Sequence, residues 1–505
     1  MAGNNGAMSY ATLERHYRRL SHLEHLDAIA GWDEATMMAE GGGSARAEAL
    51  ATLRGIIHTE AAHPSLGEWL GAAEAEAPGL DAWQRSNLRE MKRTWVRATA
   101  IPGELVEAAS LSASRSEQAW RKLRAENDWQ TFEPLFRETV ARQREVAQAL
   151  GARLELDPYD ALLDGYEPGM RSAAIAPLFA RLGAFLPGFI ARVVEKQAKE
   201  SVVTPPGPFP IERQRELGVS LMGKLGFDFK RGRLDVSHHP FCGGVPEDVR
   251  ITTRYDDNNF AKALMGVLHE TGHAKYEQNL PLPWLSQPVG RARSMGVHES
   301  QSLFLEMQVS RSREFADFVA PHLRAAFPDA AARAPAAFEP ENLYRFATRV
   351  QPSLIRVDAD EVTYPCHVIL RFELERALIR GELDVKDVPD AWDEKMRALL
   401  GISTRGNYKD GCMQDVHWPS GALGYFPTYT LGAMLAAQLY ETASRELPGL
   451  SGSIAAGELG ALDAWLRERV WGEASRLETN ELVVHATGRP LDTQSFERHL
   501  ERRYL

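Results

Sequence analysis

At 505 residues the chain exceeds the roughly 250–300 that one hydrophobic core usually serves, so two or three domains or one large helical assembly built in lobes is expected. With 44% hydrophobic and 25% charged residues the balance is that of an ordinary soluble globular protein. A formal net charge of −11 argues against nucleic acid as the main partner, because phosphate binding needs a basic face, and mildly favours cationic substrates.

The three cysteines, Cys242, Cys366 and Cys412, are far apart and odd in number, which is no disulfide framework and points to a reducing compartment. The opening MAGNNGAMSY has neither a basic region nor an apolar run, so it does not read as a signal peptide. No stretch approaches the ~20 apolar residues that span a bilayer. A cytoplasmic protein without a membrane partner is the expectation.

In chain order, the first 150 residues read as helical. Leu13, Tyr17, Leu20, Leu23, Leu26 and Ile29 recur at three- and four-residue steps and form one apolar stripe. Gly41-Gly42-Gly43-Ser44 breaks the pattern before a second helix. Two further helices are expected at about 80–98 and 103–150, separated by Ile101-Pro102-Gly103, with solvated charged faces. Thr204-Pro205-Pro206-Gly207-Pro208 is either a lobe boundary or a loop. Leu234 to Tyr255 is the least helical part, and Val249 to Tyr255 leans to β structure, so a small sheet or hairpin is expected there. Helical periodicity resumes at Phe260 and runs to the end. The fold class is mainly α with one small β element.

His269-Glu270-Thr271-Gly272-His273 is the pattern H-E-x-x-H. Residues four apart share a helix face, so both imidazoles can reach one ion, and Glu270 is placed to hold and deprotonate a water without being a ligand. Phe260, Ala263, Leu264, Val267 and Leu268 make an apolar face that suits a buried helix. A catalytic zinc site uses three protein ligands and an open position. No third histidine follows closely, but Val297-His298-Glu299-Ser300-Gln301 opens another helical stretch about 26 residues beyond His273. Glu299 is the third ligand chosen; Glu306, two turns along the same face, competes with it or partners an imidazole from outside. The pattern points to hydrolysis of peptides.

Four further motifs occur around this one: His239-Pro240-Phe241, Asp248-Val249-Arg250-Ile251-Thr252, His298-Glu299-Ser300-Gln301 and Gln414-Asp415-Val416-His417-Trp418. With H-E-x-x-H they resemble, in order, the carboxypeptidase Taq family of metallocarboxypeptidases, and the similarity runs from Trp32-Asp33 to Tyr425-Phe426-Pro427. The resemblance implies a large two-lobed helical fold like neurolysin and angiotensin-converting enzyme, with a deep central groove. It implies one metallocarboxypeptidase domain over 1–505, with an N-terminal helical lobe at about 1–200 and a catalytic region at about 230–440. It also implies a homodimer, removal of single residues from peptide C-termini with broad specificity, and zinc, for which cobalt often substitutes.

The reaction needs more than a metal and a base. His417, Tyr425 and Tyr429 are the candidate donors to the tetrahedral oxyanion, Tyr429 being alternatively a core aromatic beside Leu431. A free carboxylate calls for a forked cation, for which Arg356 is the candidate, partly by resemblance. Its plainer alternative is an ion pair with Asp358 or Asp360. Arg250 lies where an extended substrate would add as a strand, or else braces the hairpin through Asp248. His238 and His239 are pocket walls or structural groups. Cys242 and Cys412 lie beside motif residues and would make activity sensitive to thiol oxidation. The competing functions are an oligopeptidase using the same site, a non-catalytic peptide-binding protein, and a zinc-stabilised structural protein.

Overall fold

Leu13, Tyr17 and Leu20 do lie on one helix, Gly6–Thr36, and pack against Leu66, Leu70 and Met91. The computed structural model describes residues 6–505; the part of the leader reading that rests on residues 1–5 lies outside the described residues. Past Leu20 the helix leaves that small core. Leu26, expected in the stripe, is 58% exposed. Farther on, Trp32 is buried against the sheet, with the Arg250 and Arg233 guanidinium groups over its ring at 4.4 and 5.2 Å.

The expected helix at 80–98 is Ala82–Thr99, opened by a capping box between Asp81 and Gln84. The single helix expected at 103–150 is two, Gly103–Ala125 and Trp129–Leu154. The break falls where Asn127 takes a left-handed backbone (φ 59°) and the Asp128 side chain accepts from the Thr131 N–H, both roles suited to those residues. Helix Ser172–Gln197 is long and apolar enough to cross a membrane by length and composition, contrary to the expectation that no stretch is. One stripe of it, Ile175, Phe179, Leu182, Leu186 and Phe189, is buried in the largest core, as in an ordinary amphipathic core helix.

Two large cores interleave along the chain. One combines residues 109–193 with 350–437 and 496–504, the other 209–344 with 435–486. The proline-rich connection falls at the first changeover, after Val193 and before Phe209. Helix Pro427–Glu446 serves both, giving Leu431 and Met434 to the first and Leu435 and Leu439 to the second.

The β element is a three-stranded sheet of β1 (Gly232–Val236), β2 (Cys242–Val245) and β3 (Asp248–Thr253) in the order β1-β3-β2. β2 and β3 form the antiparallel hairpin, and β1 adds parallel to β3. Val249 and Ile251 are fully buried in a cluster with Val267 and Ala274 of helix Phe260–Gln278. The Thr252 hydroxyl takes a hydrogen bond from Ser237 (2.7 Å) and from the Phe241 N–H (3.0 Å). The sheet thereby fixes both the H-E-x-x-H helix and the His239-Pro240-Phe241 turn.

Candidate active site

Helix Phe260–Gln278 starts at Asn259, whose side chain accepts from the Lys262 N–H, and carries His269 and His273 one turn apart. Helix Met295–Leu303 starts at Ser294, which caps the Val297 N–H at 3.0 Å, and carries Glu299. Two glycines let the helices converge. A Cβ at Gly272 would lie 2.4 Å from the Gln301 carbonyl, and one at Gly432 on helix Pro427–Glu446 would lie 2.9 Å from Glu299 Cβ. Only a residue without a side chain fits either contact.

Both Nε2 atoms face Glu299 Oε2, His269 at 3.9 Å and His273 at 3.4 Å. The three side chains offer ligand atoms within 4.8 Å of one another. The other ring nitrogens are engaged from outside. Nδ1 of His269 meets Glu306 Oε2 at 3.0 Å, and Nδ1 of His273 meets Nδ1 of His298 at 2.6 Å. His298 in turn meets Glu277 at 2.7 Å, and Glu306 accepts from Arg311 at 2.8 Å. Glu306 therefore sits on the far nitrogen of His269. Its segment departs from the α-helix assumed for it, because Phe304–Val309 is a π-helix.

Burial draws the His269 pKa down, but Glu299, Glu306 and Glu270 outweigh it and raise it to about 10. Burial, then His298 and His269, bring His273 down to about 4 against the pull of Glu299. Glu270 is raised to about 7, mainly by burial, with Glu299 and Glu306 adding and His269 and His298 opposing. A concentrated set of carboxylates around two imidazoles is what a cation satisfies. The donors, two imidazole nitrogens and a carboxylate with oriented outer partners, suit a single divalent ion.

A cavity of about 1380 Å³ opens beside this centre. His269, Glu306, His238, His239, Arg356, His417 and Tyr429 line it; Arg250 does not. Arg250 instead pairs with Asp248 at 2.6 Å and covers Trp32, the bracing arrangement of the two considered for it. Arg356 is buried and pairs with neither Asp358 nor Asp360. Its Nε and Nη2 donate to Asp415 Oδ1 at 3.0 and 2.8 Å, and its Nη1 to the Tyr364 hydroxyl at 2.7 Å. Asp415 Oδ2 is held in turn by Arg371 Nε at 2.8 Å. Asp358 pairs with Lys262, and Asp360 caps Val362 and Thr363.

His417 and Tyr429 meet at 3.5 Å, and Tyr425 stacks edge-on against Tyr429 and Tyr166. Burial brings His417 down to about 4 and pushes Tyr425 up to about 12, so both are neutral at pH 7. The Glu299 charge adds to the rise at Tyr425, which, unlike His417 and Tyr429, does not line the cavity. Tyr429 is also packed against the larger core, so both of its readings have a basis in the structure. Tyr364, Arg371 and Glu277 are part of the site without any signal in the sequence; Asp415 was visible only as a motif letter. The thiols run against the oxidation expectation. Burial, with Glu270 and Glu277, pushes Cys242 well above its usual pKa, and burial does the same to Cys412, so neither is a ready thiolate. All three cysteines are free.

A helix-borne H-E-x-x-H with a glutamate from a second helix, facing a large cavity, is the centre of a metallopeptidase. The profile of carboxypeptidase Taq (M32) metallopeptidase matches residues 12–504. The chain is 41% identical to thermostable carboxypeptidase 1 of Thermus thermophilus, over 98% of both chains, and 32% identical to carboxypeptidase 1 of Bacillus subtilis, over 96% of both. It superposes on Trypanosoma cruzi metallocarboxypeptidase 1 with a TM-score of 0.96 at 45% identity, covering 98% of this chain and 99% of that one. On an M32 carboxypeptidase from Deinococcus radiodurans the TM-score is 0.93 at 35% identity, with 98% and 99% covered. The chain belongs to the carboxypeptidase Taq (M32) family of metallopeptidases and is a metallocarboxypeptidase.

Proposed function

We propose that the chain removes single residues from the C-termini of peptides with broad specificity, using a zinc ion held by His269, His273 and Glu299, with Glu270 as its base. The observation that carries this reading is the convergence of both Nε2 atoms on Glu299 beside a cavity that also contains a buried, pre-held arginine. A divalent ion held there would supply a Lewis acid able to acidify water and polarise the scissile carbonyl, and cobalt would substitute for zinc.

The remaining work belongs to the chain. Glu270, raised to about 7 mainly by its burial, is poised to take a proton from water and pass it to the leaving amine. Arg356 spends three N–H bonds on Asp415 and Tyr364, which leaves one hydrogen on each Nη for the substrate's terminal carboxylate. Asp415 keeps that fork oriented. His417, Tyr425 and Tyr429 donate to the oxyanion, and His239 with His238 walls the cavity. Arg250 braces the sheet. One catalytic domain spans the chain; its N-terminal helical lobe (about 1–200) and catalytic region (about 230–440) are joined through the core that residues 109–193 share with 350–437. It works in the cytoplasm as a homodimer, the assembly that the family resemblance implies. Sedimentation at micromolar concentration tests the dimer.

The deciding assay pairs wild type with Glu270→Gln, both zinc-loaded, on an N-blocked peptide with products followed by mass. Stepwise loss of C-terminal residues by wild type alone supports the reading. Internal cuts would replace it with an oligopeptidase, and equal activity in both proteins would remove Glu270 as the base.

A further inference from the structure

The last helix, Gln494–Tyr504, contributes no residue to the cavity wall, yet it reaches the frame of the metal centre through one buried cluster. Arg503 donates from Nη2 to the Gln308 carbonyl at 3.0 Å, and from Nη1 to the Met307 carbonyl and to Glu361 Oε2. Those two carbonyls lie in the final turn of the π-helix Phe304–Val309, where helical geometry leaves acceptors without intrahelical partners. Glu306, whose carboxylate meets His269 Nδ1, is the residue just before Met307.

Glu361 is nearly inaccessible and also accepts from the Tyr504 hydroxyl at 2.8 Å and contacts His499 at 2.7 Å. It follows directly on Asp360, whose carboxylate accepts from the Val362 and Thr363 N–H groups in the turn that leads into helix Tyr364–Arg380. One guanidinium thus ties together the π-helix, the turn before helix Tyr364–Arg380 and the end of the chain. Wide π-turns are rare and persist where surrounding contacts impose them. Without the two bonds from Arg503, the turn is free to tighten toward α geometry, which swings Glu306 off His269.

We infer that Arg503 is a positioning residue: it pins the π-turn so that Glu306 fixes the His269 ring with Nε2 toward Glu299. The inference rests on His269, His273 and Glu299 being the metal ligands. Coupling between sites is reciprocal, so metal binding must also steady the last helix. Hydrogen exchange on the wild-type chain with and without Zn2+ therefore comes first. Zinc is expected to protect amides of both Phe260–Gln278 and Gln494–Tyr504, while the distant helix Leu66–Glu76 is unchanged. Protection confined to Phe260–Gln278 overturns the inference. No protection of Phe260–Gln278, or zinc binding by Glu299→Gln equal to wild type, overturns the ligand reading instead.

Chelator competition then compares two variants. Arg503→Met is expected to weaken zinc binding roughly tenfold, the usual cost of losing an outer partner of a ligand. Tyr504→Phe, which loses a bond to the same Glu361 but none to the π-helix, is expected to bind zinc within twofold of wild type. A merely structural role would lower the Tm of both and leave both affinities unchanged, and that result also overturns the inference. Where Arg503→Met does not fold, the wild-type exchange result decides.

Discussion

Replacing Gly272 by alanine puts one methyl group between the two helices that carry the ligands. That methyl would stand 2.4 Å from the Gln301 carbonyl oxygen and 2.6 Å from Ser302 Cα, both backbone atoms that no rotamer change can move aside. Atoms in contact sit roughly 3.5 Å apart, so the helices must part by about 1 Å. Overpacking of this kind costs about 1–3 kcal/mol, and the better helix propensity of alanine returns about 1 kcal/mol, so net stability falls by at most about 2 kcal/mol. The effect on function is larger, because Gln301 is two residues from Glu299 and a 1 Å misplacement at a reacting centre costs roughly a hundredfold in rate. Gly272→Ala should therefore fold, melt a few degrees lower, and lose about two orders of magnitude in kcat/KM on an N-blocked dipeptide. A variant with wild-type kcat/KM within threefold and unchanged zinc affinity would refute the view that this close approach sets the geometry.

Arg356→Lys keeps the charge but loses the fork; KM for peptides with a free C-terminus should rise about thirtyfold, equivalent to about 2 kcal/mol, with kcat little changed. A KM within threefold of wild type would move the carboxylate site elsewhere. Glu375 is fully buried under Trp418, Tyr159 and the Gly424 N–H, and burial raises its pKa to about 7. A raised carboxyl favours the folded state in its neutral form, so that contribution is complete below its ordinary 4.5 and is lost as pH climbs to about 7. Glu375→Gln should gain on wild type over that interval by on the order of 3 kcal/mol and hold the gain above it, as read by urea unfolding at several pH values; a pH-independent difference would count against the burial argument. Zinc at about 100 times its Kd should stabilise the fold by about 2.7 kcal/mol, seen as a higher Tm. The rise should vanish in Glu299→Gln, and an equal rise there would place the ion at other donors.

The parts of the site that were legible in the sequence are those set by local geometry. Four-residue spacing alone puts His269 and His273 on one face, and Glu299 was found because it opens the next helix. Glu306 was located on the correct segment, but the π-turn that directs it to His269 Nδ1 depends on Arg503, almost two hundred residues away. For Arg356, proposed for the substrate carboxylate, the ion pair weighed as the alternative was with Asp358 or Asp360 nearby in sequence, whereas its partner is Asp415 across the fold. Spacing carries no signal for such a contact. The helical stripe failed at Leu26 for a related reason: periodicity shows which residues share a face, not how far along the helix that face stays covered. The break at Asn127–Asp128 was visible in principle as a left-handed residue followed by a cap, but it was masked by charge on both sides.

Helix Pro427–Glu446 alternates its loyalties within a few residues, Met434 belonging to one core and Leu435 to the other. A rod shared in this way leaves no seam along which the molecule divides. Halves expressed separately would each expose a stripe that the other half covers, and melting is expected as one cooperative event rather than two.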